Sequence, residues 1–100
     1  MAITVPPLKH QIVGGHVSLW NGGLLLYHLV LAGFDCAAAR VRKYGYNISV
    51  ILTKRSINVP DLAFDRGDLT RLKSFLPSSL RYYSDENDRP FEGDIWCLNW

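Results

Sequence analysis

The chain has 100 residues, 48% hydrophobic and 20% charged, with 11 basic and 9 acidic side chains. That length suits one small domain, or part of a larger one, and excludes two independent cores; the composition excludes a disordered chain. A formal charge of +2 does not by itself imply a polyanionic partner, and Cys36 and Cys97 are too few for a disulfide scaffold or a zinc cage.

Residues 1–7 lack the basic start and long apolar run of a signal peptide. Ala2, Ile3, Thr4 and Val5 form a short β-prone run, stopped by Pro6 and Pro7, which cannot donate to a ladder. Residues 8–20 contain Gly14-Gly15 and no sustained period, so they read as a loop with short strand character at most. Asn21 suits a helix N-cap, with Gly22-Gly23 a poor but tolerable first turn. Leu24, Leu25, Leu26, Leu29, Val30 and Leu31 then predict a helix that is apolar on most faces and covered on more than one side. Gly33 is placed to end it in the left-handed conformation, with Phe34 folding back over the last turn. The greasiest stretch, residues 24–31, falls far short of the ~18 apolar residues that span a membrane.

Ala37, Ala39 and Val41 alternate with Ala38, Arg40 and Arg42, which predicts a half-buried strand. Ile48, Val50 and Leu52 alternate with Asn47, Ser49 and Ile51 in a second strand, and the short spacing around Gly45 makes the two an antiparallel hairpin. Leu69, Leu72, Phe75 and Leu76 recur at helical spacing, with Asp65 or Asp68 as the cap and Pro77 as the stop. Residues 78–94 read as loop or partly disordered. Phe91, Ile95, Trp96, Leu98 and Trp100 form an apolar end segment expected to dock on the body. Charge divides with the chain: residues 1–55 carry six basic groups against Asp35 alone, while residues 56–100 carry five basic and eight acidic groups. The halves could attract one another, or the second could be a separate tail.

A strand, a crossover with a helix, and a second strand make a βαβ unit with parallel strands and a right-handed crossover. The third strand returns at once and must run antiparallel. Inserted between the other two, it gives the order first, third, second. The far edge of a class I S-adenosylmethionine-dependent methyltransferase sheet is ordered in that way, and here the residues themselves resemble that family. Ile3-Thr4-Val5-Pro6-Pro7 with Gly15-His16-Val17-Ser18-Leu19-Trp20 resembles its fifth strand and following loop. Leu29-Val30-Leu31-Ala32-Gly33-Phe34 resembles a helix end closing in Ala-Gly-Phe. Tyr46-Asn47-Ile48-Ser49-Val50-Ile51-Leu52-Thr53-Lys54 resembles the last, antiparallel strand, which often ends in lysine. Asn21, Leu26-Tyr27-His28 and Gly45-Tyr46-Asn47 are similar to a subgroup in bacteria and their phages. Gly67-Asp68-Leu69 and the run from Phe91-Glu92-Gly93 to Trp100 resemble the same subgroup.

The resemblance covers residues 1–55. It implies an α/β fold: a partial Rossmann-like methyltransferase sheet (β-α-β-β, last strand antiparallel and inserted), with residues 56–100 a helical and irregular tail packing on it. It also implies methyl transfer from S-adenosylmethionine to a nucleophilic acceptor. The chain departs from the family where the cofactor binds. A glycine-rich turn after a first strand, with an acidic residue some ~20 positions on, is missing, since neither Gly14-Gly15 nor Gly22-Gly23 has that spacing. The expectation is therefore a C-terminal part, from the fifth strand onward, that lacks the cofactor half, holds no cofactor and is inactive alone. Residues 2–5 would then be an open sheet edge, inviting self-association. The default location is the cytoplasm.

His16 lies in a glycine-bearing loop after the carboxyl end of a parallel strand, where open α/β sheets place ligands. It could position or deprotonate an acceptor, or simply bond loop backbone beside Trp20. Lys9, His10 and Trp20 share that loop as candidate substrate-binding residues. His28, within the apolar helix, reads as a core or interface histidine. The three histidines lack metal spacing. Cys36 and Cys97 read as small buried hydrophobes rather than nucleophiles, and Asp85, Glu86 and Asp88 as a solvated cluster. A rival class comes from Arg40, Arg42, Lys43, Tyr44 and Tyr46, with Lys54 and Arg55 across the hairpin. Basic groups interleaved with aromatics could hold phosphates and stack bases in a stand-alone nucleic-acid-binding or protein-interaction module. The simpler reading is a solvent-facing strand, and the acidic second half weighs against a strong nucleic-acid binder.

Overall fold

The first helix starts at the asparagine that the sequence marks for it. In the computed structural model, which describes residues 1–83 and 90–100, α1 spans Gly22–Leu31. The Asn21 side chain accepts a 2.7 Å hydrogen bond from the Leu24 N–H, satisfying one of the orphan donors of the first turn. At the far end Gly33 takes a φ of +94°; its N–H bonds the Val30 carbonyl and the Phe34 N–H bonds the Leu29 carbonyl. Those two bonds close the helix in a Schellman motif. Leu25, Leu26, Leu29 and Val30 are buried. His28, read as a core or interface histidine, is exposed and so lies outside the core. It follows Leu24 by four residues on the outward face, with Nδ1 2.9 Å from the Leu24 carbonyl and the ring edge-on to Trp20 at 5.0 Å.

The molecule is a small α/β domain whose sheet joins β1 (Ala2–Val5), β2 (Arg40–Tyr44), β3 (Asn47–Ile51) and β4 (Cys97–Leu98) in the order β1-β3-β2-β4. Every neighbouring pair is antiparallel. Since β3 is antiparallel to both β1 and β2, those two run parallel, with α1 on the connection between them. β2 and β3 are joined by a two-residue turn in which Gly45 supplies a φ of +51°. β2 begins at Arg40 rather than Ala37. The Asp35 carboxylate takes the Ala37 N–H at 2.9 Å and the Ala39 N–H bonds the Cys36 carbonyl, so the chain is still turning there. β4 is too short to show a period, and the sequence does not announce it. It pairs Leu98 with Val41 and Cys97 with Arg42, which leaves Cys97 exposed rather than buried.

The core lies between α1 and one face of the sheet. Leu26, Val30, Val41, Ile48 and Val50 meet there with Leu72, Leu76, Leu80 and Ile95 from the second half of the chain. α2 (Asp68–Leu72), prolonged by a 3-10 turn at Lys73–Phe75, contributes Leu72, which is fully buried. Its cap position is Gly67, at φ +91°, rather than an aspartate. Asp68 sits one residue later, and its Oδ1 accepts from the Ala63 N–H and from Arg71, each at 2.9 Å. The Ala63 amide above all, with help from Arg71, holds this carboxyl below its ordinary value. The end segment docks through Phe91, Ile95 and Leu98, whereas Trp96 and Trp100 remain exposed. Asp85, Glu86 and Asp88 lie outside the described residues.

Candidate functional site

Because β1 and β2 are parallel, their carboxyl ends share one end of the sheet, the end at which open α/β sheets bind ligands. Two segments meet there. The chain leaves β1 through Pro6 and Pro7 into residues 8–20, a loop closed at its base by the Pro7–Trp20 bridge and a bond from the Leu8 N–H to the Trp20 carbonyl. The tip of the β2–β3 hairpin is the other segment. Lys9 Nζ stands 3.9 Å from the centroid of the Tyr46 ring, and the His16 ring lies 6.1 Å from the same ring at 43°. Lys9 and His16, read with the loop, and Tyr46, read with the hairpin, thus belong to one cluster. A turn positions His16: its N–H bonds the Val13 carbonyl at 3.0 Å, with Gly15 at φ +81°.

The His16 Nδ1 is buried and has no hydrogen-bond partner. Such an atom is uncompensated until something supplies the missing donor or acceptor. The half-exposed Tyr46 ring, which His16 meets, also carries the Lys9 cation. The arrangement brings an imidazole, a cation and an aromatic ring together at this end of the sheet. Trp20 braces the base of the loop against His28, and His10 is exposed.

The basic set expected on the hairpin separates. Arg40, Arg42 and Tyr44 are exposed on the sheet face turned away from α1, with the Arg42 guanidinium 6.0 Å from the Trp100 ring. Lys43 points to the opposite side, 3.0 Å from Asp94 and 4.6 Å from the Trp96 ring. Lys43 holds the Asp94 carboxyl below its ordinary value. Arg55, past the end of β3, lies 3.8 Å from Asp35 and so leaves the group. Alternation within β2 decides this division, since Arg40 and Arg42 share one face and Lys43 takes the other.

A depression of about 630 Å³ between the starts of α1 and α2 is lined by Leu24, Tyr27, Phe64, Asp68 and Phe91, among others. Asp68 Oδ2 is buried there without a partner. Its walls come from three separate stretches of chain, so no local motif signals it. Cys36 is an unreactive thiol: burial first, and the Asp35 charge second, push it up to about 12. Among the described residues no three His, Cys, Asp or Glu side chains come together as metal ligands, and no helix is long and apolar enough to cross a membrane. No protein-family model, curated protein or solved structure matches this chain.

Proposed function

We propose that residues 1–55 are the terminal edge of a class I S-adenosylmethionine-dependent methyltransferase sheet. Lys9, His16 and Tyr46 then stand on its acceptor side. The observation that carries this reading is the strand order β1-β3-β2, with an antiparallel strand inserted between two parallel ones. The free edge of β1 is where the remaining strands of such a sheet would pair. Met1 and Leu52 exchange both backbone bonds, so by antiparallel alternation Ala2 and Thr4 turn their N–H and carbonyl groups to that edge.

The residues present do not fit the cofactor. The one glycine-rich helix start, Gly22-Gly23, is filled from within the chain. The Gly23 N–H bonds the Gly93 carbonyl at 2.9 Å, and a Cβ on Gly23 would lie 2.6 Å from Gly93 Cα. Methyl transfer therefore requires a cofactor site from beyond these residues. Their own part is to orient an acceptor: His16 positions it or takes its proton, while Lys9 attracts a negative group. The cytoplasm, where Cys36 and Cys97 stay reduced, suits such a domain.

Titration calorimetry with S-adenosylmethionine tests the reading. These 100 residues should release no binding heat, and the same residues expressed behind any in-frame upstream coding sequence should bind. Binding by the 100 residues alone, or none by the longer polypeptide, defeats the proposal. The open β1 edge also leads us to expect self-association of the isolated chain, read as a concentration-dependent mass in light scattering.

A further inference from the structure

The sheet face turned away from α1 has no covering element among the described residues. Arg40, Arg42, Tyr44, Thr4 and Ile51 stand exposed on it. We infer that this face binds single-stranded nucleic acid, an inference independent of the methyltransferase reading.

Charge is the first argument. The four strands contain Arg40, Arg42 and Lys43 and no carboxylate. Of the acidic residues in the second half, which in the sequence seemed to oppose a polyanion, two of those described are held away from this face. Asp94 pairs with Lys43 on the other side of β2, and Asp68 pairs with Arg71 within α2. Among the described residues no carboxylate pairs with Arg40 or Arg42. The two arginines are two residues apart on one strand, so their stems rise side by side about 6.7 Å from each other, in line with a backbone running along β2.

The aromatic groups are the second argument. Tyr44 is anchored by a 2.7 Å bond from its hydroxyl to Ser49 Oγ, which Thr4 meets at 2.8 Å from the next strand. That chain of hydroxyls buries Ser49 and holds a ring that is 44% exposed. Trp100, 46% exposed, lies beside Arg42. Anchored rings next to guanidinium groups are what unpaired bases stack on, and stacking needs no particular sequence. A duplex hides its base faces, so it could use only the charges. A second copy of this chain across a two-fold axis would set like arginine patches against each other, which is unfavourable.

Fluorescence anisotropy with labelled oligo(dT) and oligo(U) of about twenty nucleotides, long enough for any ordinary single-strand site, decides the matter. Binding should appear at about 50 mM salt and weaken steeply by 200 mM. The double substitution Arg40→Gln, Arg42→Gln keeps the aliphatic stems on the sheet. It should weaken binding at least ~10-fold and lower the salt slope by about 1.4, from ~0.7 per phosphate contact. Trp100→Ala should weaken binding ~5-fold or more with the slope unchanged, and Trp100→Phe should restore most of it. Lys73→Gln, the loss of one charge on the exposed 3-10 turn, should change little. Tighter binding of oligo(U) than oligo(dT) would place the ligand as RNA, and the reverse as DNA; both support the inference. Four results overturn it: no binding at low salt, an unaffected double variant, an equal loss with Lys73→Gln, or equal competition by duplex DNA or by anionic phospholipid vesicles.

Discussion

A Cβ added at Gly14 or Gly15 would meet no atom within 4 Å, whereas one at Gly23 would stand 2.6 Å from Gly93 Cα and 2.8 Å from Phe91 Cε2. The two Gly-Gly pairs are identical as text. Gly15 serves by its φ of +81°, which turns an exposed loop. Gly23 serves by having no side chain, which lets the tail backbone lie against the first turn of α1, where the Gly93 carbonyl accepts from the Gly23 N–H. The difference shows two regimes in one small protein. Around α1 the chain is packed backbone to backbone; in residues 8–20 apolar side chains such as Ile12 and Val17 stand 87% and 96% exposed. The region that carries Lys9 and His16 is the loosely held one, as functional loops on rigid scaffolds commonly are.

The largest effect that would test this contrast is Gly23→Ala. The added methyl meets backbone, which cannot step aside as a flexible side chain can. Overpacking costs ~1–3 kcal/mol, the upper end applying here, and the ~1 kcal/mol gain in helix propensity offsets only part. Urea denaturation should show a loss of about 2 kcal/mol, with faster amide exchange at position 23 and at Ile95, both of which donate to the Gly93 carbonyl. A loss below ~0.5 kcal/mol, the range of ordinary surface changes, would mean that the tail is not seated on the helix.

Acid should separate the two regions next. Residues 8–20 contain no carboxylate, while the tail side is fastened by Asp68, Glu92 and Asp94. All three are held below their ordinary values. The Ala63 amide is the chief cause for Asp68, the Tyr83 hydroxyl for Glu92 and Lys43 for Asp94. A carboxylate depressed in the folded state stabilises fully above its unfolded value, and that contribution disappears as pH falls through the folded value. The ordinary values are 3.8 for the aspartates and 4.5 for Glu92, so the melting temperature should hold down to about pH 5 and fall below it. Asp94→Asn should flatten that fall. A profile level down to about pH 3 would show that these anchors add nothing.

What could be read from the text follows the same division. Where a local rule acts, the residues announce the structure: Asn21 caps, Gly33 ends α1, Gly45 turns the hairpin, and the alternation of Ile48 and Val50 sets the core face of β3. The strand directions were also legible, since an immediate return forces β3 antiparallel and the helical crossover makes β1 and β2 parallel; the insertion of β3 between them came with the family resemblance. Non-local pairings were not. β4 has two residues, too few for any period, and joins β2 from the far end of the chain. Lys9 and His16 meet Tyr46 only because both the loop and the hairpin tip lie at the carboxyl ends of parallel strands. Cys97 was misplaced, and His28 is kept out of the core, for a related reason: neighbours in sequence suggested burial, while the register with Arg42 and the outward side of α1 decided against it.

The smallest effects belong to the loop, and they bear most on function. Gly15→Ala forces a left-handed conformation on a residue with a Cβ and should cost about 1 kcal/mol, while Gly14→Ala should stay within ~0.5 kcal/mol. His16→Ala should be as mild as Gly14→Ala, because its Nδ1 has no partner to lose and only the tilted contact with Tyr46 disappears. Under the proposed acceptor-side role, His16 is held by a turn against a tyrosine ring for a bound group and not for the fold. Urea midpoints of these three variants settle whether the freedom is real. A cost of 1 kcal/mol or more for His16→Ala would place the loop in the same regime as the start of α1. The buried Nδ1 would then belong to the packing of the domain and not to an acceptor site.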